Sequence, residues 1–349
     1  MPRPSGSPLS TAVRGLTPGY FALVMSSGIL SIGFRLRGDL LVSRLLLAVA
    51  VVSHVVLLAL TAWRLARHSD AVREDFADPR RAFGFFTLVA GTDVLAIRCA
   101  VAGQHTLAAV LVGAAVAAWI VLGYVVPWTA VLGRSERPVL AAANGTWFIW
   151  VVATQSVAAA AATLEVHFST GRRELAIVAV GCWSVGVFLY AAAGMLVALR
   201  LMLYPFGPED LTPPYWVAMG AAAITVVAGA RIVEMADAPM VDATRGLVAG
   251  LAVVFWAFAT WLIPVLVAAG WWRHARRRIP LRYEPTLWSI VFPLGMYGVA
   301  SFYLGDADRL PLVHALGAAW LWLALAVWVA VFVAMCRSLL RLLGVRAAA

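Results

Sequence analysis

Few polar side chains interrupt the long apolar stretches of this chain, and these are the residues with the potential for chemistry. Ser27 and Ser31 are four positions apart and share one face of a helix. Asp93 and Gln155 each lie near the middle of a later apolar stretch. Because polar groups are costly in lipid, such side chains face a bundle interior or a water-filled cavity. The pattern therefore predicts a polar interior between helices.

Asp93 is a carboxylic acid deep in an apolar segment, and three roles are open for it. Burial favours its neutral, protonated form. Alternatively, it binds a proton that travels with a substrate, which would make the protein a symporter. In the third role it forms a structural salt bridge, for instance with Arg98, five residues further along.

The composition is that of a polytopic membrane protein. Hydrophobic residues make up 63% of the 349 residues and charged residues 13%, whereas soluble domains are about 25% charged. A helix needs about 20 apolar residues to cross the hydrocarbon layer. Ten such stretches are predicted, at about 18–35, 40–64, 83–102, 106–132, 139–164, 175–204, 212–233, 245–272, 286–304 and 312–336. The predicted fold is an all-α integral membrane protein with ten transmembrane helices.

An aromatic residue opens every second apolar stretch, and the repeat predicts how the helices are arranged. The five residues are Tyr20, Phe85, Trp147, Trp216 and Trp288. Small or polar residues follow each of them within two helical turns, and a more hydrophobic stretch follows each of these segments. Such repetition is typical of transport proteins built from repeated units. We predict five helical hairpins around a central pore, with odd-numbered helices inside and even-numbered helices facing lipid.

The charges predict the orientation. The basic residues are all arginine, and most of the 27 lie in segments on the same side as the N-terminus. This excess predicts cytoplasmic termini in the inner membrane. The predicted divisions are an N-terminal segment (1–16) that is not a cleaved signal, a ten-span domain (17–336) and a C-terminal tail (337–349). The basic loops 64–81 and 273–282 are expected to meet lipid headgroups rather than nucleic acid.

Sequence patterns of enzymes are missing. The chain contains no D-D-x-x-D, no H-E-x-x-H and no Gly-rich phosphate loop, and its histidines and three cysteines are scattered. We therefore predict no enzymatic activity, no metal site and no cofactor. A membrane-embedded enzyme or a sensor is the less favoured alternative.

Two motifs resemble a known family. Residues 16–21 read L-T-P-G-Y-F, with Gly28 and Ile29 after them, and resemble the first span of the tellurite-resistance/C4-dicarboxylate transporter (TDT) family. The W-S-I-V-F-P of residues 288–293 is similar to the family's W-x-x-x-F-P pattern in the ninth span. The family includes TehA-like bacterial proteins, fungal malate permeases and plant slow-type anion channels. The likeness covers nearly the whole chain.

The resemblance implies a homotrimer of independent pores, each closed midway by a phenylalanine of the ninth span. By motif match that residue is Phe292. Pro293 removes a backbone donor and distorts the helix, so the neighbouring ring can close a narrow lumen and swing aside. The alternative is that Phe292 simply packs between helices.

The resemblance also implies a small anion as substrate. Polar residues expected to line the pore are Ser27, Ser31, Thr92, Asp93, Thr154, Gln155 and Ser289. Arg98 and Arg231 are predicted to attract anions at the outer mouth. The alternative is that these two arginines extend to the membrane interface or form an ion pair with Glu234 or Asp237. The substrate is an inorganic anion, an oxyanion such as tellurite, or a C4-dicarboxylate such as malate, and both a channel and a proton-coupled symporter are open.

Overall fold

Ten helices are long and apolar enough to cross a membrane in the computed structural model, which describes residues 8–133, 138–236, 239–307 and 309–342. We call them spans 1 to 10. They are Pro18–Leu36, Leu40–Arg67, Ala82–Val101, His105–Leu132, Gly145–Glu165, Arg172–Leu203, Pro213–Val233, Pro239–Arg276, Pro285–Ala307 and Pro311–Arg341. The described residues contain no strand, so the all-α prediction is confirmed.

The boundaries differ from the prediction where apolar residues continue into other structure. The predicted start of span 5 at 139 is wrong, because Val139–Ala142 forms a separate 3-10 turn. Spans 8 and 10 are longer than predicted, since helix continues into less hydrophobic flanking residues. Two shorter helices, Pro8–Arg14 and Ser69–Ala77, lie outside the spans, and the second occupies the predicted loop 64–81.

Odd-numbered and even-numbered spans form two layers. The apolar windows of the odd spans are 72–94% buried, whereas those of the even spans are 22–33% buried. Each odd span packs extensively against the even span that follows it. The odd spans also contact one another in the closed order 1, 3, 5, 7, 9 and back to 1. We call the odd spans the inner ring and the even spans the outer ring.

Each inner span begins with a 3-10 turn, and this turn carries or directly precedes the repeated aromatic residue of the sequence. The turns are Pro18–Phe21, Ala82–Phe85, Gly145–Trp147, Pro213–Trp216 and Pro285–Leu287. They also contact one another in a closed ring. The Tyr20 hydroxyl of the first turn lies 2.8 Å from the hydroxyl of Tyr283, which precedes the last turn by two residues. We call this end of the bundle the N-terminal face, and the other end the opposite face.

Candidate functional site

Phe292 points toward the interior of the inner ring, as the neighbours of span 9 show. Pro293 packs on Gly220 of span 7, where an added Cβ would lie 2.9 Å from the proline Cγ. Gly295 packs on span 1, and the Tyr297 hydroxyl lies 2.8 Å from a hydroxyl of span 8 in the outer ring. Successive residues turn by about 100°. Phe292 therefore lies between the directions of spans 1 and 7, and roughly opposite the outer ring.

Phe292 is buried, and only 1% of its residue surface is exposed. Pro293 lies inside the helix and has no backbone N–H, so the carbonyl of Ser289 lacks its usual helical donor. The Ser289 hydroxyl has no hydrogen-bond partner among the described residues. It lies three residues before Phe292, on nearly the same face. A free hydroxyl and an interrupted helix thus adjoin the ring of Phe292.

Asp93 lies at the seam between spans 3 and 5. It is fully buried, and its Oδ2 accepts a hydrogen bond of 2.7 Å from the Ser156 hydroxyl of span 5. Its Oδ1 has no partner among the described residues. Sequence reasoning missed Ser156 as a partner, because three adjacent polar residues occupy span 5 and only the helix register decides which of them faces span 3.

Asp93 and Phe292 lie at similar depth in the bundle. Gly28 of span 1 packs on Val94, and its chain neighbour Ile29 packs on Gly295. Asp93 adjoins Val94 and Phe292 is one turn from Gly295. The two side chains are therefore within about one helical turn, or about 5 Å, of the same level.

Three predicted lining residues make hydrogen bonds to the outer ring instead of the interior. The Trp328 indole donates to Ser27 at 3.0 Å, the Trp119 indole donates to Thr154 at 2.9 Å, and the Gln155 amide donates to the Trp183 carbonyl at 3.2 Å. These bonds satisfy polar groups that lipid would leave unpaired. The hydroxyl of Thr92 also donates locally, to the Leu88 carbonyl at 2.8 Å. Their lining roles stay predictions.

Arg98 makes contacts different from those considered in the sequence. Its Nε donates to the Ser31 hydroxyl at 2.9 Å, and its Nη2 donates to the Ser43 hydroxyl of span 2 at 3.2 Å. Among the described residues it forms no ion pair, so the alternative of an Asp93–Arg98 pair is wrong. The two side chains face different neighbours, since Asp93 points at span 5 and Arg98 at span 1.

Arg231 is paired, as one of the alternatives predicted. Its guanidinium forms an ion pair with Glu234, three residues further along. The same group lies over the Tyr303 ring of span 9, 5.5 Å from the ring centroid. Asp237 lies outside the described residues. Arg231 thus ties the end of span 7 to span 9, and the prediction that it attracts anions at a mouth stays open.

Sequence comparison identifies the family. Residues 15–336 match the family described as voltage-dependent anion channel. The chain belongs to this family. The match extends from before span 1 into span 10, so the ring that holds Phe292 and Asp93 lies within it. The predicted relationship to the transporter family of the motifs is confirmed, and the protein is a member of a family of membrane transporters for anions.

The chain also resembles individual proteins of two prokaryotes. It is 64% identical over 158 residues to an uncharacterized membrane protein of Mycobacterium tuberculosis strain H37Rv, which covers 45% of this chain and 80% of that protein. It is 23% identical over 332 residues to an uncharacterized transporter of Methanocaldococcus jannaschii, which covers 90% of this chain and 91% of that protein. The second similarity, like the voltage-dependent anion channel match, spans nearly the whole bundle.

Proposed function

We propose that the inner ring conducts small anions across the cytoplasmic membrane, and that Phe292 closes the pathway. The observation that carries the proposal is the orientation of Phe292 toward the ring interior, with almost no exposed surface. A hydrophobic constriction of this kind blocks ions, because hydrated ions do not enter a narrow apolar passage. In this proposal the pathway opens when the Phe292 side chain moves away from the axis of the inner ring.

The direction of the inner spans favours anions over cations. All five begin at the N-terminal face, so the positive ends of five helix dipoles surround one mouth. Ser289 adds a free hydroxyl next to the constriction. The other predicted lining residues, and the predicted attraction of anions by Arg98 and Arg231, remain part of the proposal. Among the described residues, no contact places any of these side chains on the pore lining.

Pro293 is the hinge in this proposal. The helix of span 9 lacks one backbone hydrogen bond there, which lowers the cost of a local change in direction. Gly220 leaves room for the proline ring, and a larger residue would clash. The segment around Phe292 is therefore the part of the inner ring best suited to move without unfolding a helix.

Anion flux from proteoliposomes tests the proposal. We expect chloride and nitrate efflux to rise about tenfold or more in Phe292→Ala, which corresponds to a barrier lower by about 1.4 kcal/mol. Folding of the variant is checked by its elution as a monodisperse peak and by its melting temperature. Unchanged flux in a folded and inserted Phe292→Ala protein would refute the gate.

Proton-coupled uptake of a C4-dicarboxylate is the second candidate, and one observation favours it. Asp93 is buried at the level of Phe292, and its Oδ1 has no partner among the described residues. A carboxyl group in such a place is suited to bind and release a proton. In this carrier, Asp93→Asn abolishes proton-driven malate uptake. Ser156→Ala is the control, because it removes the hydrogen bond but keeps the carboxyl group.

Topology and assembly complete the proposal. We propose cytoplasmic termini, on the evidence of the arginine-rich segments at the N-terminal face, and a homotrimer, on the family resemblance. Resistance to tellurite would be a phenotype of the same pathway, and growth of cells on tellurite with wild type and with Phe292→Ala tests it. Cysteine labelling from either side of the membrane tests the orientation.

A further inference from the structure

The seam between spans 1, 2 and 3 holds a buried positive charge that no acid in the described part of the chain balances. Arg98 is 2% exposed. Two of its nitrogens donate to Ser31 and Ser43, which are neutral hydroxyls. Its Nη1 is buried and has no hydrogen-bond partner among the described residues. A guanidinium cannot give up its proton in a protein, so its charge must be met by some other group.

The two serines form a rigid platform under Arg98. The Ser31 hydroxyl donates to the Ser43 carbonyl at 2.7 Å, and the Ser43 hydroxyl donates to the Ser31 carbonyl at 2.7 Å. These reciprocal bonds fix spans 1 and 2 against each other. They also fix the position of the guanidinium, so that Nη1 is held in one place with its two N–H groups unused. This is a preformed donor rather than a mobile surface side chain.

Two more arginines lie near enough to interact electrostatically with Arg98. They are Arg35 at the end of span 1, which is partly exposed, and Arg44 at the start of span 2, which is exposed. Neither has an ion-pair partner among the described residues. The nearby acid Asp39 already binds Arg37 at 2.9 Å. Three positive charges therefore lie near one another at this seam, and none has an acidic partner among the residues described.

The seam is separate from the interior of the inner ring. Thr87, Gly91 and Val94 of span 3 all contact span 1, and Arg98 continues the same stripe at helical spacing. Ser43 belongs to the outer ring. Arg98 thus points between helices, away from the face that Asp93 presents to span 5.

We propose that this seam binds a phosphate group or a similar oxyanion, through Nη1 of Arg98 and with charge from Arg35 and Arg44. Guanidinium groups bind phosphate oxygens through short, charge-assisted hydrogen bonds. The group comes either from an anionic lipid headgroup, since the seam lies near the ends of three spans, or from a free oxyanion in solution. The site does not depend on conduction through the ring.

Binding to the full-length protein in nanodiscs tests both sources. The free-anion arm uses zwitterionic phosphatidylcholine discs and titrates inorganic phosphate against potassium chloride of equal ionic strength, with melting temperature as readout. The lipid arm adds phosphatidylglycerol and counts retained lipids by native mass spectrometry. We expect saturable binding in one arm, and a loss of about tenfold or more in affinity in Arg98→Gln.

Matched variants keep the test decisive. Arg37→Gln removes one positive charge from the same face, but one that Asp39 already pairs, and it should bind like wild type. If Arg98→Gln does not fold, Arg35→Gln and Arg44→Gln carry the test, because both side chains are at least partly exposed; each should weaken binding. Saturation by phosphate alone identifies a free oxyanion, and retention of phosphatidylglycerol alone identifies a lipid. Equal binding by wild type and all these variants, or no binding in either arm, would overturn the proposal.

Discussion

Two buried arginines at opposite faces of the bundle have very different surroundings. Arg64, near the N-terminal face, is 4% exposed, and Arg98 is 2% exposed. The Nη1 of Arg64 forms an ion pair of 2.7 Å with Asp75, which also pairs with Arg81 at 2.8 Å. The Nε of Arg64 donates to the Arg14 carbonyl at 3.0 Å. Among the residues that the structure describes, the Arg98 guanidinium donates only to two hydroxyls.

The difference shows that burial alone does not define the role of a charge. The charge of Arg64 is balanced within the chain by Asp75, and this pair docks the short helix Ser69–Ala77 onto span 2. The bond from Thr129 to the Phe76 carbonyl, at 2.9 Å, docks the same helix onto span 4. The described residues around Arg98, by contrast, include no acidic partner for its positive charge. The first region is a structural clasp, and at the second the proposed oxyanion would balance the charge.

The largest expected effect is from breaking the buried ion pair of Arg64 and Asp75. Asp75→Asn leaves Arg64 buried without an acid, and we expect the free energy of unfolding to fall by about 3–5 kcal/mol. Chemical denaturation in detergent measures the change. Asp70→Asn is the control on the same helix, because its pair with Arg14 is more than half exposed on both sides. An equal loss in the two variants would contradict the distinction between clasp and surface pair.

The ring of 3-10 turns at the N-terminal face gives the next largest effect. A Cβ on Gly145 would overlap the backbone of Pro214 and Tyr215, which cannot move as a flexible side chain does. Gly145→Ala should lower stability by about 1–3 kcal/mol. Gly113 of the outer ring has no atom within 4 Å of such a Cβ, so Gly113→Ala should stabilise its helix by about 0.5–1 kcal/mol. Melting curves of both variants that shift in the same direction would argue against the tight packing of this face.

Arg98→Gln should act in the opposite sense to Asp75→Asn. In chloride buffer without phosphate or anionic lipid, the substitution removes an uncompensated buried charge. We expect the free energy of unfolding to stay the same or rise by about 1 kcal/mol. The same denaturation assay applies, and a loss as large as that of Asp75→Asn would mean that Arg98 is already fully compensated.

The smallest effect concerns two stacked histidines at the opposite face. The ring centroids of His105 and His167 are 4.0 Å apart. Burial lowers the pKa of His167 below its ordinary value of 6.5, and the charges of His105 and Arg231 lower it further. The folded state therefore prefers neutral His167. Its contribution to stability is full above about pH 6.5 and is lost as the pH falls, because the unfolded chain takes up the proton first.

Melting temperatures between about pH 7.5 and 5.5 measure this effect in wild type and His167→Gln. The decrease toward acid should be slightly steeper in wild type. Identical pH profiles would show that His167 does not contribute. The His314–Asp306 pair, at 3.6 Å, is present in both proteins and cancels in the difference.

The sequence predicts the helices and the layers better than it predicts the partners of polar side chains. Ten spans and the inner position of the odd ones follow from hydropathy and from the aromatic repeat, because both act through many residues at once. The bonds of Ser27 and Thr154 to tryptophans of the outer ring depend on rotation about single helices, which no local pattern records. The hydrogen bond of Asp93 with Ser156, rather than an ion pair with Arg98, depends on helix rotation in the same way.

The current carried by two phenylalanine variants of span 9 tests the central claim most directly. Phe302, like Phe292, is almost fully buried, but it packs on the His314 ring of span 10 with the ring centroids 4.6 Å apart. Planar-bilayer recordings in a chloride gradient compare Phe292→Ala with Phe302→Ala. The account predicts a conductance about tenfold or more above wild type for Phe292→Ala alone, with a reversal potential near that of chloride. Equal currents in the two variants, or a reversal potential near that of the cation, would contradict it.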